Sequence, residues 1–180
     1  MMTRQIDTTR FGTIELPEEA IIRFPSGLYG LEGPRAYCLL NHDERGRFQW
    51  LQAADAPAIA MVVTDPFHFF PAYEVEISDP AAMLLEAETA AAVSIYTPIT
   101  ISADRQEVYA NLLGPVAINH AARLGMQLIQ DAGRYTTRHL IGSGVQAGGR
   151  SGVQGSSVND ALVLVEPEFL NARTPERLKA

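Results

Sequence analysis

Only one cysteine, Cys38, occurs in 180 residues. A single thiol excludes an intrachain disulfide framework, so the fold must rest on packing, as expected in a reducing compartment, and the thiol itself reads as a small buried hydrophobe. Long apolar runs are also missing. None approaches the roughly 18 residues that span a bilayer, and the N-terminus lacks the basic region, apolar stretch and small-residue cleavage site of a secretory leader. These absences predict a cytoplasmic protein with no membrane partner. Positive charge is scarce as well: 14 Lys+Arg face 21 Asp+Glu, for a formal net charge of −7. Residues 1–142 hold ten of those basic and seventeen of those acidic residues, so the whole excess lies there and the remainder is neutral. Nucleic acid is disfavoured as a direct partner, because it needs a clustered basic face. A basic protein partner fits in sign.

The residue patterns that carry chemistry are missing too. His42, His68, His120 and His139 are far apart, and no His-x-x-x-His or Cys-x-x-Cys spacing offers a local metal site. Neither phosphate-cradling glycine motif occurs; Gly27-Leu28-Tyr29-Gly30 with Gly33 reads as turns. The G-x-S-x-G elbow of hydrolases is absent. Asn111 and Asn119 read as turn or backbone-bonding residues. Arg134-Tyr135-Thr136-Thr137-Arg138-His139 is locally basic, but two arginines are too few to hold single-stranded nucleic acid, and the segment reads as an exposed closing stretch. The expectation is a protein without catalytic residues, metal or cofactor.

What the chain does have is apolar residues at short spacing, which predicts strands. Candidates are Phe11 to Leu16, Ile21 to Phe24, Ala36 to Leu40, Phe48 to Gln52, Ala58 to Val63, Tyr73 to Ile77, Ala91 to Ile101, Val108 to Ile118 with a bend near Gly114-Pro115, and Met126 to Gln130. One short helix is expected after Ser78-Asp79, where Pro80 suits the first turn and Ala81 to Ala87 form helix well. Trp50, alternating with Phe48, reads as core. The fold class is therefore all-β and mainly antiparallel: a small barrel-like domain with one short helix, since closure removes exposed strand edges. It occupies residues 3–142. A Gly/Ser-rich linker at 143–157 follows, then a C-terminal tail at 158–180 of unknown role, both expected to be flexible.

Thr64 to Ile77 is the most informative stretch, with Phe67, Phe69, Phe70 and Tyr73 around Pro66 and Pro71, followed by Glu74 and Glu76. Each Pro fixes its own φ and drives the preceding Asp65 or Phe70 toward extended geometry. Two readings stand. The aromatics fill a core beside Ala58 to Val63, or they form a rigid docking surface whose rings bury much area at little entropic cost. In a strand Glu74 and Glu76 share a face, either as a solvated surface or as a lure for a basic partner.

Several segments together resemble the bacterial FliW family of flagellar assembly factors: Arg10 to Ile14, Ile22 to Gly30, Phe48 to Gln52, Val62 to Tyr73 with its Asp-Pro-Phe…Phe-Phe-Pro-x-Tyr element, Asn111 to Asn119 and Tyr135 to Arg138. The resemblance covers about residues 3–140. It implies a cytoplasmic, non-enzymatic partner switch that binds flagellin and the carbon storage regulator, an mRNA-binding translational repressor. Binding the repressor relieves repression of flagellin synthesis, and free flagellin competes for the factor. Carried onto this chain, the resemblance points to Asp65, Phe67, Phe69, Phe70 and Tyr73 as the platform, with Glu74 and Glu76 as electrostatic contacts. The other reading of the same barrel is a binding module for nucleic acid or carbohydrate. The chain departs from the family in its glycine-rich extension after about residue 142.

Overall fold

A computed structural model describes residues 2–42, 46–102 and 107–143. The linker from residue 144 onward and the tail at 158–180 lie outside the described residues. Among the described residues, eleven strands carry the fold. β1 (Thr3–Thr8) and β2 (Gly12–Pro17) form an antiparallel hairpin. β3 (Ile22–Arg23), β4 (Ala36–Asn41), β5 (Phe48–Ala53), β6 (Ala60–Thr64), β7 (Ser94–Ser102), β8 (Glu107–Ala110), β9 (Val116–Asn119), β10 (Leu124–Gln127) and β11 (His139–Ser143) make one large sheet.

That sheet curls into a barrel-like ring. The pairings run β7-β6-β5-β4-β3-β10-β9 and return to β7, with β8 and β11 continuing from the other end of β7. All ring pairings are antiparallel except β3–β10, a single parallel bridge at Leu124 and Arg23 supported by the Arg23 N–H donating to the Arg123 carbonyl at 2.9 Å. Closure at this seam is tight. A Cβ placed on Gly125 would fall 2.4 Å from the Phe24 ring, so only a glycine lets the two strands meet over that ring.

Side-chain alternation sorts the interior from the exterior. Leu39, Leu51 and Met61 lie in register across β4, β5 and β6, as do Leu40, Trp50 and Val62 on the opposite face. The first face joins Phe24, Tyr37, Val63, Val116 and Ile118 in the core inside the ring. The second is covered as well, by Tyr73, Ile99, Ala110 and Leu112. Cys38, fully buried, packs on that outer side against Ile6 of the hairpin and Ile21. Covering both faces explains why the last four residues of β5 are all buried.

The structure amends four sequence expectations. Tyr73 to Ile77 is not a strand, although its alternation is real: Tyr73, Val75 and Ile77 turn inward while Glu74 and Glu76 are exposed. The Glu74 and Glu76 N–H groups go to side chains instead of a neighbouring strand. Val108 to Ile118 is two strands, because Asn111 Oδ1 accepts the Gly114 N–H at 2.8 Å and closes a turn just before Pro115, which has no N–H to give. β1 and β11 are additional strands. Ile21 to Phe24 shrinks to the two-residue β3. The helix appears where expected, α1 at Asp79–Leu84. Leu85 caps it and Glu86 follows at a φ of 51°, with the Asn119 side-chain amide donating to the Leu85 and Glu86 carbonyls.

Gly125→Ala should destabilise the chain by about 1–3 kcal/mol, the usual cost of overpacking a filled core, measured by urea unfolding. A loss much smaller than this contradicts the close approach at the seam.

Candidate partner-binding platform

The platform starts at a capped turn. Asp65 Oδ1 accepts the Phe67 N–H at 2.8 Å, and Pro66, buried, occupies the first position of a 3-10 turn over Pro66–His68. Such a side-chain cap satisfies a backbone donor that the turn cannot satisfy itself. Phe69 and Phe70 N–H both donate to the Pro66 carbonyl, and the Tyr73 N–H donates to the Phe70 carbonyl. Asp65 also lies 3.6 Å from His68 Nδ1 across an exposed surface. The aromatics then diverge. Phe67 is 41% exposed and stands 6.0 Å from the Tyr73 ring. Phe69 leans on Phe48, and Phe70 meets the His139 ring edge-on.

Tyr73 works from beneath. It is 6% exposed, and its hydroxyl donates to the Leu112 carbonyl at 2.6 Å. Burial pushes its phenol well above the ordinary value, with the neighbouring Tyr135 adding to the effect, so it stays a neutral donor. Its ring meets Tyr135 edge-on at 4.9 Å.

The acidic pair is held in place by Gln130 and Tyr135. The Glu74 N–H donates to the Tyr135 hydroxyl at 3.1 Å, and the Glu76 N–H to Gln130 Oε1 at 2.8 Å, while Gln130 Nε2 returns a bond to the Glu76 carbonyl. Gln130, itself buried, thus takes the place of a partner strand. Arg134 Nη2 contacts Glu74 Oε2 at 2.7 Å with both side chains largely exposed; such a surface pair adds little stability, but it fixes where the Glu74 carboxylate points. Among the described residues no cation pairs with Glu76, which is exposed. All seven residues predicted from sequence therefore gather in one neighbourhood, Phe67, Glu74 and Glu76 outermost, Phe69 and Phe70 half-buried, and Asp65 and Tyr73 supporting.

The pattern for the FliW protein family matches residues 5–141. The chain belongs to that family. Among relatives, the flagellar assembly factor FliW of Moorella thermoacetica is 39% identical over 138 residues, 76% of this chain and 87% of that protein. The flagellar assembly factor FliW of Alkaliphilus metalliredigens is 38% identical over 137 residues, 76% of this chain and 85% of its own length. A crystal structure of the flagellar assembly factor FliW superposes with a TM-score of 0.69 at 32% identity, over 77% of this chain and 96% of that one. The platform and its supports fall within the family match, whereas the extension from residue 142 lies beyond it.

Sequence reasoning missed the supports. Gln130, Tyr135 and His139 carry no pattern linking them to residues some sixty positions earlier. The Arg134 to His139 stretch is exposed as expected except at Tyr135 and His139, whose rings pack against Tyr73 and Phe70; Arg134 lies 5.4 Å over Tyr135 and Arg138 4.3 Å over Tyr109. Among the described residues no group of three or more His, Cys, Asp or Glu is placed to hold a metal, and no helix is long and apolar enough to cross a membrane.

Two outcomes follow from this geometry. Tyr73→Phe leaves the Leu112 carbonyl without its donor and should cost about 1–3 kcal/mol in denaturant unfolding; a neutral effect contradicts the anchoring role. His139 Nε2 accepts the Thr136 N–H at 2.9 Å, which only an unprotonated nitrogen does, and burial lowers the pKa of both His139 and His120 below the ordinary 6.5. The unfolded chain therefore takes up protons first. Stability is full above about pH 6.5 and declines as pH falls toward the folded values. The His120→Gln/His139→Gln variant should show a flatter stability profile from about pH 7 to 5.5, and an unchanged slope contradicts the assignment.

Proposed function

We propose that this chain is a cytoplasmic flagellar assembly factor that acts by binding proteins, with flagellin and the carbon storage regulator as competing partners. By holding the regulator, the chain relieves repression of flagellin synthesis; unsecreted flagellin displaces the regulator and restores repression. Family membership supports the flagellar role, together with the name that relatives at 38–39% identity carry. The observation that supports binding as the mode of action is the platform itself. An exposed phenylalanine on a capped turn, beside two carboxylates whose backbone is already anchored, offers a partner apolar area and negative charge with little ordering left to do. The charge of residues 1–142 suits a basic partner.

Calorimetric titration of the full chain with the same organism's flagellin and carbon storage regulator tests this reading. Both should bind, each displacing the other. Phe67→Ala should weaken at least one partner by about tenfold or more, as truncation of an aromatic anchor does. Glu74→Gln/Glu76→Gln should weaken the regulator by about three- to tenfold at low salt and less at high salt, because salt screens exposed charges. Binding of neither partner by a folded sample overturns the reading, and unaltered affinities in folded variants overturn the placement of the interface.

A further inference from the structure

At the other end of the barrel one cleft is lined mainly by charge of the opposite sign. Where β3 meets β10, a cleft of about 790 Å³ is lined by Arg4, Arg23, Arg35 and Arg123, with Glu18 as the one lining carboxylate. Glu18 lies 3.9 Å from Arg4. Arg23 and Arg123 make no ion pair among the described residues, and both are exposed. The cleft's apolar lining with exposed surface is Pro25 and Ala36, above the buried Ile21 and Phe24. Behind Phe24 the Tyr37 ring packs edge-on with centroids 4.9 Å apart, and its buried hydroxyl has no hydrogen-bond partner among the described residues.

Two backbone features place these arginines, and both carry a cost. Arg123 adopts φ +56°, in the left-handed region, at the end of the β9–β10 turn. Its carbonyl takes the Arg23 N–H that closes the ring, so the seam dictates the conformation, yet glycine would adopt it with less strain. Strain kept in favour of a long cationic side chain points to a use for that side chain. Arg35 is placed by the reverse device. Its guanidinium lies over Gly27, where a Cβ would come within 1.9 Å of Nη1, and Gly27 is itself at φ +70°. Arg35 Nη1 donates to the Pro34 carbonyl at 3.2 Å, and Asp55 fastens the Arg35 and Ala36 N–H groups from below. The Ile22 to Gly30 segment, which plays no part in the platform, thus has a role in shaping this cleft.

We propose that the cleft is a binding site for an oxyanion, a phosphate or carboxylate carried on an apolar body, gripped by Arg23, Arg35 and Arg123 while the apolar part rests on Pro25 and Ala36. Guanidinium groups suit this task because their planar donor forks match both oxyanions in pairs of hydrogen bonds. The site is separate from the platform, which is built on the turn after β6 and on the segments around β8 and β11.

Phenyl phosphate, benzoate, inorganic phosphate and chloride, each titrated into the full chain at matched ionic strength, provide the test, followed through backbone amide shifts and by calorimetry. Saturable shifts should centre on Arg23, Ala36, Arg123 and Leu124, with the better of the two aromatic anions binding about tenfold more tightly than inorganic phosphate because of the apolar lining. The phenyl phosphate and benzoate arms tell a phosphate ligand from a carboxylate. Arg123→Gly should lose about tenfold or more in affinity while melting no lower than the parent, since glycine relieves the left-handed residue. Arg23→Gln should weaken binding similarly without that thermal benefit. Shifts spread equally over Arg10 and Arg134, chloride producing the same changes, or undiminished binding by either folded variant overturns the site.

Discussion

Strand β7 is shared between two sets of partners, and the rest of the molecule is arranged around that division. Its first three residues pair with β9 and close the ring; its last four pair with β8 and lead out to β11. Pro98 sits at the changeover, accepting the Asn111 N–H on its carbonyl. Because β8 and β9 part there, residues Asn111 to Pro115 leave the sheet and must find hydrogen bonds elsewhere. They find them in Thr97, Thr136, Gln127 and Gln130. The Leu112 carbonyl is left facing Tyr73, and that contact ties the aromatic segment to the barrel. The platform thus exists because one strand cannot serve two partners along the same length.

The segment from Asp65 to Glu76 gains its order without joining a sheet. A carboxylate cap, a buried phenol and a buried amide replace ladder hydrogen bonds. Side-chain anchors of this kind leave the outward faces of Phe67, Glu74 and Glu76 uncovered while fixing their backbone, the combination a docking surface needs. Charge is segregated along the chain in the same sense: between Arg47 and Arg105 there is no Lys or Arg and there are eight carboxylates. The arginines of the cleft come from outside that stretch, on β1, β3 and the turns before β4 and β10. One protein therefore presents an acidic, aromatic surface and an arginine-lined cleft on different strands of the ring.

What sequence could reveal depended on how local the cause was. β4, β5 and β6 were legible because the ring repeats its alternation across them and each carries apolar residues in register. The helix was legible from Pro80 and the alanines that follow. β1 was not, since Thr3 to Thr8 contains one strongly apolar residue, Ile6, and its outer face is solvent. The Tyr73 to Ile77 alternation showed correctly which residues face inward but not what their backbone bonds to, because Gln130 and Tyr135 stand 54 and 61 positions away. The Asp65 to Glu76 segment is marked in the sequence by a compact motif; the residues that hold it, and the glycine and left-handed arginine that shape the cleft, depend on contacts that no spacing announces.

The central claim is that the aromatic and acidic segment is ordered before any partner arrives, and amide hydrogen exchange on the free chain tests it most directly. The amides of Phe67, Phe70, Tyr73, Glu74 and Glu76 should exchange far more slowly than unstructured residues although none lies in a strand, and Tyr135→Phe should release Glu74 selectively. Exchange of these amides at unprotected rates in the folded chain would mean that the segment is ordered only by its partner, and would contradict the account.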